Sequence, residues 1–138
     1  MEPAERATDM DGASTFGGLI EDAKTGALQV RLEPQVFVDL DRACGDLIAA
    51  LSDAQHDARA LGDLGHWGLG EDDPRLWSAI ELVKLFREKA FGGPNNAHDT
   101  LGAYIAVATE IQTLFGAIRE TFERTDAEFA ARLREITG

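Results

Sequence analysis

Apolar side chains recur at helical spacing along three stretches of the chain. Behind Pro34, the residues Phe37, Leu40, Cys44, Leu47, Leu51, Ala54, Ala58 and Leu61 follow one another at alternating steps of three and four. That seam predicts a helix over 34–61. Val36, Ala43, Ile48 and Ala50 widen the stripe, which suits a bundle better than a lone two-stranded coil. Pro34 fits the first turn, where its missing N–H would be unsatisfied anyway. Gly62 ends the helix. The segment GDLGHWGLGEDD, with glycines at 62, 65, 68 and 70, cannot be helical throughout.

Asp73 and Pro74 read as the N-cap and first residue of a second helix over 74–91. Leu76, Ile80, Val83 and Ala90 make one apolar face of it, and Trp77, Leu82, Leu85 and Phe86 make another. Such a helix should be covered on two sides. After the break at GGP, Asn96 with Asp99 resembles a capping box and opens a third helix over 96–136. Leu101, Tyr104, Ala108, Ile111, Phe115, Ile118, Phe122, Thr125 and Phe129 again step by three and four, and Leu133 and Ile136 continue the stripe. Glu120, Arg124, Glu128 and Arg132 alternate in sign four residues apart on another face, which supports a helix.

Upstream, 16–26 has room for one or two helical turns. Leu28, Val30 and Leu32 alternate with Gln29 and Arg31, a short strand-like period that reads as an extended lead-in. Residues 1–15 are small, polar and acidic, and predict a disordered tail. The chain therefore reads as all-α: a tail over 1–15 and a single helical domain over 16–138, built as a long-helix bundle. Two arrangements fit, an up-down-up three-helix bundle or an extended helical hairpin whose second and third helices run end to end. In both, the third helix outruns the first. Phe129, Leu133 and Ile136 would then be covered by a self-dimer or a helical protein partner, with the lead-in at 16–32 as the competitor within the chain.

Charge narrows the partners. The 138 residues include 25 acidic and 13 basic ones, a net charge of −12. That argues against nucleic acid and anionic membrane surfaces, which reward clustered Lys and Arg, and favours a partner with basic patches. No run of ~20 apolar residues reads as a membrane span, so membrane insertion is not expected. The acidic N-terminus lacks the apolar stretch of a signal peptide. Cys44 is the only cysteine and reads as a buried structural thiol.

Candidate chemistry is sparse. His56, His66 and His98 have no zinc spacing, and DMDG at 9–12 lacks the later ligands of a calcium loop. The glycines of 62–70 are not followed by the Lys-Ser/Thr of a phosphate loop. With no evident set of nucleophile, base and orienting group, the expectation is a non-enzymatic protein without a cofactor.

Two features remain: Trp67 in the glycine-rich turn, and Phe122 followed four residues later by Asp126 in TFERTDAEFAARL. With the long helices and the lead-in AKTGALQVRLEPQVFVDLDRACGDLIAAL, they resemble the helical proteins of actinobacterial type VII secretion systems, the Trp-x-Gly helical-hairpin superfamily. The likeness spans most of residues 16–136. Phe122 and Asp126 stand in the places of that family's Tyr-x-x-x-Asp secretion element. The chain departs from the pattern in having Gly one and three places after Trp67, Phe for Tyr, and a GGPNN break that splits the second half of the hairpin. The resemblance implies a secreted substrate or its helical partner, leaving by a non-Sec route or held in the cytoplasm before export. A membrane ATPase would read Phe122, Asp126, Phe129 and Arg132, and Trp67 would plug the turn or contact a partner. The alternative is a cytoplasmic interaction module, a chaperone or immunity protein for a toxin.

Overall fold

The computed structural model describes residues 16–28 and 32–138. The expected tail over 1–15 and the middle of the lead-in, with Val30, lie outside them. Every regular element among the described residues is an α-helix: α1 (Gly17–Thr25), α2 (Pro34–Gly62), α3 (Trp77–Ala90), α4 (Ala97–Thr125) and α5 (Ala127–Thr137). The described residues are all-α, but five helices among them replace both expected arrangements, the three-helix bundle and the hairpin.

Two local facts account for the difference. Residues 16–26 make a full helix, closed by Gly26 at a left-handed φ of 80°, a conformation glycine adopts without strain. The expected third helix also breaks in two at Asp126, whose backbone is extended (φ −131°, ψ 104°). Asp126 N still donates to Phe122 O at 2.8 Å, and Ala130 N to Asp126 O at 3.0 Å. Between them Phe129 N turns to Asp126 Oδ1 at 3.0 Å. A side chain thus replaces a backbone acceptor, and the apolar period runs through the break unaltered.

Other boundaries follow local sterics. α2 ends at Gly62, where an added Cβ would lie 2.6 Å from Phe91 Cβ. α3 begins three residues later than expected. Asp73 accepts from Arg75 N at 2.9 Å and its carbonyl from Leu76 N at 2.9 Å, so residues 73–76 form a turn before the helix. At α4 the expected cap is present: Asp99 N donates to Asn96 Oδ1 at 2.8 Å. The return bond reaches the Asn96 side chain, Nδ2 to Asp99 Oδ2 at 2.9 Å, because the shorter Asp stops short of the backbone.

The helices contribute to two compact units, one of residues up to 45 and from 107 onward, the other of 46–106. In the first, α1 runs parallel to α4, joined at both ends. Phe16 N donates to Glu110 Oε2 at 2.8 Å, and Thr121 Oγ1 donates to Ala23 O at 2.8 Å. The first part of α2 runs antiparallel to α4, with Gln112 Nε2 donating to Asp41 O at 3.3 Å. Ala23, Phe37, Leu114, Ala117, Ile118, Phe129 and Leu133 form one buried cluster. Phe129 and Leu133 are therefore covered by their own chain, and only Ile136 of the expected overhang is exposed. Cys44 is a half-buried free thiol.

The second unit has a thinner core: Ala58, Val83, Ala90 and the polar Asn96. Polar contacts supplement it. Arg87 donates to Leu64 O at 3.1 Å and to Gly65 O at 2.9 Å, and Arg59 lies 5.2 Å over the Phe91 ring. α3 is covered on one side rather than two, since Trp77, Leu82, Leu85 and Phe86 are all exposed.

One stretch of α4 is apolar enough in length and composition to cross a membrane, contrary to the reading of no such run. Ala108, Leu114, Ala117 and Ile118 of this helix are buried against protein, and 22% of that stretch is buried in all.

The packing makes Phe37 the test of the first unit. Phe37→Ala should lower the free energy of unfolding by about 3–5 kcal/mol, measured by urea denaturation followed by circular dichroism. A double-mutant cycle with Phe129→Leu should show about 0.5–1.5 kcal/mol of coupling. A loss within about 0.5 kcal/mol, the range of surface substitutions, would mean that the cluster does not hold the unit.

Candidate functional site

The corner between α4 and α5 gathers four of the five residues singled out in the sequence. Phe122 is half-buried, its ring 6.1 Å from Phe37 and 5.3 Å from Phe129. Phe129 is buried and meets Phe37 edge-on at 5.6 Å. The Phe122 position is thus packing first, with part of the ring open to solvent. Asp126 is exposed and caps α5, so its carboxylate satisfies a first-turn N–H that would otherwise lack a partner. Arg132 is exposed and pairs with Glu128 at 2.9 Å and Glu33 at 3.5 Å. The charge ladder of the sequence is cut by the corner, which falls between Arg124 and Glu128.

An open groove runs along this corner, lined by Leu28, Leu32, Phe122, Asp126, Phe129 and Arg132. It offers apolar side chains, the three carboxylates of Glu33, Asp126 and Glu128, and the Arg132 guanidinium, which pairs with Glu33 and Glu128. Those groups suit recognition of an extended or helical segment.

Trp67 stands apart, in the loop of the second unit. Its ring lies 5.8 Å from Phe86, so it covers part of α3. Its indole Nε1 is enclosed without a hydrogen-bond partner among the described residues.

The loop around it is organised by Glu71, which sequence reading passed over. The Glu71 carboxylate accepts from Trp67 N, from Gly68 N at 3.1 Å and from Leu69 N at 2.9 Å. Three successive amides aimed at one point make an anion-binding nest, and the protein fills it with its own side chain. Gly68 (φ 75°) and Gly70 (φ 99°) supply the left-handed turns this needs. The alternating glycines were the visible signal; which acid they would face was not.

His66 and Asp72 flank the same carboxylate, with His66 Nδ1 2.6 Å from Asp72 Oδ2 and 3.6 Å from Glu71 Oε1. One imidazole and two carboxylates are donors that a divalent ion accepts. Here Glu71 is already committed to amide N–H groups and His66 to Asp72.

The nest makes a pH prediction. Hydrogen bonds from the N–H of Glu71 itself and from Trp67, Leu69 and Gly68 outweigh burial and hold the Glu71 carboxyl at about 2, against an ordinary 4.5. A carboxyl depressed in the folded state stabilises it fully above the unfolded value, and the contribution is lost as pH falls through the folded one. Wild type should lose stability between about pH 4.5 and 2 more steeply than Glu71→Gln. Melting temperatures of both proteins across that range would test this, and parallel curves would show that the carboxylate does not hold the loop.

Comparison of the chain with protein-family models, with curated proteins and with solved structures finds no match.

Proposed function

We propose that this is a non-enzymatic recognition protein associated with type VII secretion, and that the α4–α5 corner is the element read during export. The observation that carries the reading is the exposed Asp126 beside a half-buried Phe122 at the rim of an open groove. One Asp126 oxygen caps the helix. A carboxylate that accepts one hydrogen bond retains capacity for a basic partner group. The rigid corner presents both side chains without the entropic cost of ordering a loop. The reader would be the membrane ATPase of the secretion system, with a helical partner protein accompanying the export.

A second reading, a cytoplasmic chaperone or immunity module, is favoured by one observation. Phe122 packs on Phe37 and Phe129, and Asp126 caps α5, so the motif also has a purely structural use.

The two readings separate at Asp126, because cap and charge can be removed independently. Asn caps helices about as well as Asp, whereas Ala costs about 1 kcal/mol. Asp126→Asn should therefore keep the wild-type melting temperature, and Asp126→Ala should lower it. If the charge is read, both variants lose export, assayed as protein in culture filtrate against cell lysate. Wild-type export of the folded Asp126→Asn protein would leave the corner a structural device and make the cytoplasmic module the better account.

A further inference from the structure

α2 carries a second apolar row beside the one it buries. Within the unit of residues 46–106, Ala58 is buried and Leu51 half-buried on the inner side. On the adjoining side Leu47, Ala54 and Leu61 recur every seven residues. Leu47 is 51% and Leu61 44% exposed, with Ala54 half-buried between them, so the two leucines of this row lie open. Apolar residues at seven-residue intervals offer a straight seam to another helix.

The seam has an acidic edge. Asp46 and Asp53 each stand one residue before a seam position, along one flank, and Asp57 lies in the seam between Ala54 and Leu61. All three are exposed, and none makes an ion pair or hydrogen bond among the described residues. Arg59, the only Lys or Arg on this part of the helix, is turned to Asp63 at 4.0 Å and to the Phe91 ring. An acid facing an apolar partner inside a seam would be left unpaired, at a cost that a facing cation removes.

We propose that this face docks an amphipathic helix of another protein, apolar along one stripe and carrying Lys or Arg beside it. The leucines supply the burial, and the acids select the partner and its register. A second copy of this chain is a poor occupant. It would set the same acid row against itself, between molecules of net charge −12 each. The proposal does not depend on whether the α4–α5 corner is an export address.

The test uses the full chain and two synthetic helical peptides of about four heptads, with Leu in the seam and either Lys or Glu beside it. Fluorescence anisotropy should show the Lys peptide binding at least about tenfold tighter than its Glu twin. Leu47→Asp and Leu61→Asp, each checked by its own melting curve, should weaken it by about tenfold or more. Asp46→Lys with Asp53→Lys should reverse the peptide preference. Glu21→Lys with Glu135→Lys makes the same change of net charge elsewhere on the surface and should leave binding unchanged. Three results would overturn the proposal: no binding of the Lys peptide, equal weakening by the two charge reversals, or sedimentation showing a dimer of the chain alone that Leu47→Asp dissolves.

Discussion

Phe37 is the point on which the unit of residues up to 45 and from 107 onward converges. It is 2% exposed and meets Phe115 and Phe122 of α4 and Phe129 of α5 edge-on, at 5.6–6.4 Å between ring centres. Edge-to-face rings gain from their quadrupoles beyond the area they bury. Through these contacts one residue near the start of α2 ties two C-terminal helices to the front of the chain. α1 completes the enclosure, because its Ala23 is fully buried in the same cluster and its two ends are bonded to α4.

That convergence changes what the C-terminus needs. A single straight helix from 96 to 136 would carry Phe129 and Leu133 beyond the reach of α2. The break at Asp126 lets α5 depart from the α4 axis, and both side chains are buried without a partner. A cap of about 1 kcal/mol thus directs the burial of two large side chains, each worth about 1.5–3 kcal/mol. The corner is exposed for the same reason: the chain changes direction there, and the capping carboxylate faces outward.

The unit of 46–106 is built on different terms. Its core is small and partly polar, and arginine clamps and the Glu71 nest hold its loops. Many of its larger apolar side chains face outward, Trp77 at 71% exposure among them. Solvated apolar surface of this kind is what a binding face requires.

Helical class, the extent of α2 and the Asn96 cap of α4 were legible in the sequence. They rest on local chemistry: a period of three and four, a glycine stop, and an Asx side chain bonding an amide three residues on. The breadth of the α2 stripe was also visible, as Val36, Ala43, Ile48 and Ala50 beside the main seam. Which face would be buried was not visible, since a heptad pattern does not say where the neighbours lie. The break at Asp126 has a local signal, Asp followed by Glu128 in a first helical turn, but the apolar stripe runs through it unbroken. Only tertiary packing resolved that conflict, because bending α5 onto Phe37 buries Phe129 and Leu133, and a straight helix leaves them in water. Glu71 was illegible for a related reason. A nest is made of backbone amides, whose direction depends on loop dihedrals that the residue types permit but do not impose.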